Sequence, residues 1–226
     1  MAFVVQLTGA PGTGKTFSIK QLVEKYPDSV YYVNADGKPL AWAGWRAQFS
    51  KEKKNYIETS DVGTIITVLK GISASRPDVK VVVVDTITAI ENDMEMRDMK
   101  KSGYDRWRDL AMDVYELYTI ASELREDLIV VFGAHQEGYQ EDGVTKYRTK
   151  HGGQKLTKVN LNSRLSYNLY TDVSTTSDNR REYWFITQTD GATEARSVQG
   201  VLPYKMPNDL GEVVGLIRKL DLGIQE

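Results

Sequence analysis

The chain has 226 residues, 41% of them hydrophobic, with a net charge of −2 and no cysteine. That size fits a single domain, 1–226, with a sizeable core, and the near-neutral charge leaves only a local basic patch for any nucleic-acid role. A disulfide framework and a thiolate or His-rich metal centre are excluded, since the histidines are His135 and His151 alone. No run reaches membrane-spanning length or forms a signal peptide, so a cytoplasmic protein is expected.

Phe3, Val4, Val5 and Leu7 form a short apolar run suited to a buried strand. Gly9, Ala10, Pro11, Gly12, Thr13, Gly14, Lys15 and Thr16 follow and fit G-x-x-x-x-G-K-[ST] in full. Phe17 comes next, and Ile19, Leu22, Val23 and Tyr26 then recur at helical spacing. A strand, a glycine-rich turn and a helix in this order form a phosphate cradle. The turn aims backbone N–H groups inward, and the helix adds its positive N-terminal end. Lys15 is expected on the β- and γ-phosphates of a nucleotide and Thr16 on Mg²⁺.

Residues 29–34 read as a second strand ending in the loop signal Ala35-Asp36-Gly37-Lys38-Pro39. Trp42, Trp45 and Phe49 either cover a core edge or stack on a base. A short strand is expected at 56–58. Ser60 or Asp61 then caps a helix with Val62, Ile65, Ile66, Leu69 and Ile72. The four valines at 81–84 cannot belong to a half-exposed strand and fit a central parallel one, ending in Asp85. Residues 91–104 read as a solvated segment. A helical pattern resumes with Trp107, Leu110, Val114, Leu117, Ala121 and Leu124.

Residues 128–134 make another buried strand, ending in His135-Gln136. The stretch 138–158 carries four glycines with Lys146, Arg148, Lys150, Lys155 and Lys158, and reads as a long basic loop. It would neutralise a polyanion, with Tyr139 and Tyr147 stacking on bases, or would simply be solvated. Strands follow at 165–173 and 182–188, with a further one at 195–201. Pro207-Asn208-Asp209 leads into a last helix with Val213, Val214, Ile217 and Leu220. The whole pattern implies an α/β fold with a mostly parallel sheet, helices on its faces and antiparallel C-terminal strands. In such sheets ligands sit at the carboxyl ends of the strands, where the cradle, Asp36, Asp85 and His135-Gln136 all fall.

Asp85 would hold Mg²⁺ through water beside Thr16, with Thr86 assisting. Asp36 would orient the attacking water, or would form an Asx turn with Gly37. Gln136 or His135 would sense the γ-phosphate, or would cap a loop.

In this order, Asp36, Asp85-Thr86, His135-Gln136, Gly152-Gly153-Gln154-Lys155-Leu156 and Ser163-Arg164-Leu165 resemble the RecA-like P-loop ATPases. The nearest resemblance is to small phage-encoded recombinases and single-strand annealing ATPases. The resemblance implies a RecA-like P-loop NTPase fold, ATP and Mg²⁺ as cofactors, and hydrolysis to ADP and phosphate. It implies roles for Lys15, Asp36, Asp85 and Gln136 in that reaction. It places a DNA-binding loop within 138–158, so that Lys146, Arg148, Lys150, Lys155 and Lys158 hold single-stranded DNA. It also implies a homo-oligomer, ring or filament, and a single-stranded-DNA-binding protein as a further partner. The family's usual carboxylate is Glu, and Asp36 is one methylene shorter. With the glycine-rich motif starting at Gly9, the family's N-terminal oligomerisation segment and large C-terminal domain are not expected. Arg196 is read as a surface arginine, with an arginine finger as the alternative.

Two other readings stay open: a P-loop ATPase acting on a protein partner, and a small-molecule kinase. A fourth is a module that holds nucleotide without turnover. Absence of N-K-x-D favours ATP over GTP.

Overall fold

The computed structural model describes residues 1–97, 105–152 and 161–224, with the backbone alone at 105–107. One sheet runs through the molecule. Its parallel part comprises β1 (Phe3–Gly9), β2 (Val30–Asn34), β3 (Tyr56–Glu58), β4 (Val81–Asp85), β5 (Ile129–Glu141) and β7 (Tyr167–Thr175), in the order β3-β2-β4-β5-β1-β7. β8 (Arg181–Ile186) and β9 (Lys205–Pro207) extend it antiparallel. This is the mostly parallel α/β architecture with antiparallel C-terminal strands that the pattern of apolar runs implies.

Helices cover both faces. Val4, Val82, Val84, Val130 and Phe132 face α3 (Val62–Ser75), α4 (Ile87–Arg97) and α5 (Asp105–Glu123). Val5, Leu7, Val81, Val83, Ile129 and Val131 face α1 (Lys15–Lys25) and α6 (Leu210–Leu216). Alternate residues of the central strands thus bury on opposite sides, which is why β4 reads as unbroken valine. Asp61 caps α3 by accepting from the Thr64 amide at 2.8 Å, and Asp209 caps α6 by accepting from Glu212 at 3.0 Å. Helix α6 lies close on α1. A Cβ on Gly211 would come within 2.9 Å of the Gln21 carbonyl oxygen, so only glycine permits this approach. Trp42 and Phe49 are buried in the α1-side core, Phe49 against Tyr32 at 5.2 Å between ring centroids. The short helix α2 (Trp45–Gln48) lies between them. These aromatics take the core role. No helix among the described residues is long and apolar enough to cross a membrane.

Three sequence expectations are corrected. Residues 91–97 belong to α4 and are not solvated throughout. Ile87, Ile90 and Met94 make an apolar stripe at helical spacing, and Glu91 is fully buried. The remainder of that expectation, 98–104, lies outside the described residues. Residues 138–149 are no loop. β5 runs on past the sheet and pairs antiparallel with β6 (Val144–Thr149), closing a hairpin from Gln136 to Thr149. Its turn is Asp142-Gly143, both at positive φ (52° and 77°), as a two-residue hairpin turn requires. The glycines and lysines masked a plain Asp-Gly hairpin signal. Finally, 195–201 holds only one bridge, Arg196 to Asn168, and the last strand is β9 instead.

The hairpin base is tied into the sheet. The Gln6 amide donates to the Thr149 hydroxyl at 2.7 Å and accepts from the Tyr118 hydroxyl at 2.6 Å, all three being buried. Such a satisfied polar cluster fixes the hairpin's register on β1.

Candidate nucleotide-binding site

The turn after β1 opens into a cleft of about 480 Å³ at the carboxyl ends of the parallel strands. Its lining includes Pro11, Gly12, Gly14, Lys15, Thr16, Phe17, Asp36, Thr86, His135 and Tyr183. Gly14 stands at the head of α1 in the left-handed region, φ 95°, where a side chain would be strained. This conformation turns the first amides of α1 toward the cleft and offers an anion the helix end.

Lys15 is 6% exposed. Its ammonium donates to the carbonyl oxygens of Gly9 and Ala10, each at 2.8 Å. Burial pulls its pKa down to about 8, against the attraction of Asp85 and Asp36. Asp85 ends β4 wholly enclosed. Its Oδ2 accepts from the Thr16 hydroxyl at 2.9 Å and from the Tyr32 hydroxyl at 2.8 Å. Burial raises the Asp85 pKa despite these two donors, and it drives Tyr32 well above the ordinary phenol range, with the Asp85 charge adding to it. A desolvated carboxylate beside a hydroxyl and an anion cradle is a hard-oxygen set that suits Mg²⁺. Thr16 and Asp85 are therefore the residues fitted to hold one. The Asp85–Thr86 peptide is cis.

Asp36 accepts from the Thr86 hydroxyl at 3.0 Å and pairs with Lys38 at 3.3 Å. It lines the cleft, as an orienting carboxylate must. His135 lines it too. Its backbone N–H donates to Thr88 of α4 at 3.0 Å, and its carbonyl accepts from the Lys150 N–H at 2.7 Å. Burial and then the Lys15 charge lower its pKa, so the imidazole is neutral near pH 7. Its Nδ1 is buried with no hydrogen-bond partner among the described residues.

Gln136 is not in this cleft. It lines a neighbouring hollow with Thr13, Tyr147, Tyr170 and Thr171. Adjacent residues on a strand point to opposite faces, so only one of His135 and Gln136 can enter the cleft, and that one is His135. Of the two residues expected to sense the γ-phosphate, His135 is the one that lines the cleft.

The described basic residues within the hairpin strands carry acidic partners. Lys146 pairs with Glu141, and Arg148 pairs with Glu137 at 2.8 Å and lies over the Tyr139 ring. Lys150 is exposed. Lys155 and Lys158 lie outside the described residues, as does 153–156. Just before that segment, Glu91 of α4 accepts from His151 Nδ1 at 2.9 Å and from the Gly152 N–H at 2.6 Å. Arg196 is exposed and donates to the Asn162 carbonyl at 3.1 Å, as a surface arginine does.

Sequence reasoning missed Tyr32, Tyr183 and Asn208. Tyr32 shares the Asp85 face through the two-residue period of β2 and β4, so that signal was available. Tyr183 and Asn208 reach Gly14 from β8 and from the β9–α6 connection, and no local pattern links them to it.

Parallel strand order, a glycine-rich cradle between strand and helix, and a strand-ending carboxylate together define a P-loop nucleoside-triphosphate-binding domain. A family model described as an AAA domain matches residues 1–197, and the chain belongs to that family. No curated protein matches the chain.

Proposed function

We propose that this protein is a Mg²⁺-dependent ATPase that binds single-stranded DNA and assists homologous recombination or strand annealing, as a phage-encoded homo-oligomer would. The carrying observation is that Lys15, Thr16, Asp36, Thr86 and His135 line one cleft, with Asp85 at its base bonded to Thr16. Bound Mg²⁺ would neutralise charge on the β- and γ-phosphates. Lys15 adds its own charge there, Asp36 with Thr86 orients the attacking water, and His135 meets the γ-phosphate side. Catalysis is positioning and electrostatic, with no covalent intermediate.

DNA enters the reading through Lys150. Its N–H is held by the carbonyl of His135, so a change at the cleft reaches the basic segment over one hydrogen bond. Tyr147, 37% exposed, offers a stacking face on the same hairpin. A second reading, an ATPase acting on a protein partner, is favoured by the pairing of Lys146 and Arg148 with glutamates. ATP hydrolysis measured with and without single-stranded DNA, from low to high salt, separates them. Stimulation that fades steeply with salt supports DNA as the target. Turnover indifferent to DNA, with no DNA bound at low salt, overturns it.

A further inference from the structure

The cleft lining is chemically mixed. Asp36, Thr86 and His135 make part of it polar, with Asp36 accepting from the Thr86 hydroxyl. Phe17 and Tyr183 add aromatic rings. With the metal-holding pair Thr16 and Asp85 on the side of the terminal phosphate, the rings are left for the nucleobase. Phe17 is 43% exposed, with Lys20 over its ring at 5.9 Å, and Tyr183 stands beside Gly14 of the cradle.

Beside Gly14 also lies Asn208, in the connection between β9 and α6. Its backbone N–H donates to the Tyr183 carbonyl at 3.0 Å. Its side chain is only 6% exposed, yet neither Nδ2 nor Oδ1 has a hydrogen-bond partner among the described residues. Buried amides are normally satisfied, so an amide with both ends unmet calls for a partner from elsewhere. Its place says which. A Cβ on Gly14 would lie 3.0 Å from Asn208 Oδ1 and 3.1 Å from Tyr183 Cδ1. The amide therefore stands against the phosphate cradle, next to a ring that lines the cleft.

We propose that Asn208 is the base-reading residue of this site and selects adenine. The inference rests on the reading of the cleft as a nucleotide site. A base that stacks on Tyr183 and shifts its ring meets the amide behind it. Nδ2 then donates to adenine N7, and Oδ1 accepts from the N6 amino group, the bidentate match of an asparagine to adenine. Guanine presents two acceptors on the same edge, N7 and O6, and leaves Oδ1 facing another oxygen.

The test compares binding of ATP, 7-deaza-ATP, purine riboside triphosphate and GTP to the full chain with Mg²⁺, by calorimetry. Each analogue of adenine lacks one of the two bonds and should bind roughly 3- to 10-fold more weakly than ATP. GTP should bind more weakly still. In Asn208→Leu, ATP, 7-deaza-ATP and GTP should bind alike, with an unchanged far-UV spectrum. Wild-type protein that binds 7-deaza-ATP and purine riboside triphosphate as tightly as ATP overturns the proposal without recourse to any variant. Failure of wild-type to bind any triphosphate, or binding untouched by Lys15→Ala, overturns the nucleotide-site reading itself.

Discussion

In the cleft, Lys15 is buried with Asp85 and Asp36 as the charges that act on it, and its ammonium is held by two carbonyl oxygens. In the β5–β6 hairpin, Lys146 and Arg148 stand at the surface and spend their charge on Glu141 and Glu137 of the facing strand. Both regions are rich in charge. Only in the first is the charge desolvated and uncompensated by a full ion pair, and so held ready for a ligand. Exposed ion pairs are screened and contribute little. A run of basic residues thus says less about function than whether each cation already has an anion beside it.

The sharpest way to break this contrast is substitution on both sides of it. Lys15→Ala should lower ATP turnover by roughly 10²–10³-fold or more, since the charge it adds has no substitute. Lys146→Ala with Arg148→Ala should leave DNA-free turnover within about twofold, as surface changes do. Steady-state kinetics on both variants check it, and equal losses would erase the distinction.

Asp85→Asn should be nearly as damaging to turnover, while stabilising the fold. It removes a buried carboxylate whose charged form burial disfavours, yet keeps an oxygen for Thr16 or Tyr32. A gain of ~1 kcal/mol appears as about 2–4 °C in Tm for a chain of this size. A lower Tm would mean that the anion is a structural partner and not a held-back ligand.

The pH dependence of nucleotide binding gives a smaller effect. Lys15 in the free protein loses its proton near a pKa of about 8. Phosphates beside it favour the cation, so the bound state keeps a proton that the free state has shed. Binding should therefore take up a proton above about pH 8 and weaken as pH rises, by roughly tenfold per unit. Calorimetry in buffers of differing ionisation enthalpy reads the uptake, and flat affinity from pH 7 to 9.5 would refute it.

The smallest expected effect sharpens the hairpin side. Glu141→Gln with Glu137→Gln frees Lys146 and Arg148. If the hairpin meets a polyanion, binding of single-stranded DNA should tighten and its salt slope should steepen by about 1–2. An unchanged slope would remove the hairpin from any nucleic-acid surface.

The phosphate cradle was legible because its signal is local: glycine spacing, an apolar strand before it and a helical period after it. The valine run gave β4 and its terminal Asp85 for the same reason. The hairpin was misread because glycine and lysine content was weighed above the Asp142-Gly143 turn and the two-residue alternation around it. Of His135 and Gln136 only His135 lines the cleft, since only the strand's exact register decides which of two neighbours faces it. Tyr183 and Asn208 could not be found, because each acquires its setting from segments distant in sequence.

Helix α6 closes against α1 through Gly211, and α1 carries the cradle at its head. The wall behind α1 is thus supplied by residues 210–216, which the ribosome adds long afterwards. During synthesis β1, the cradle and α1 emerge early but have no α6 to seal Ile19, Leu22 and Val23. An emerging chain must hold that apolar face open until late in translation, which makes it a natural grip for a chaperone and the stretch most exposed to misassembly.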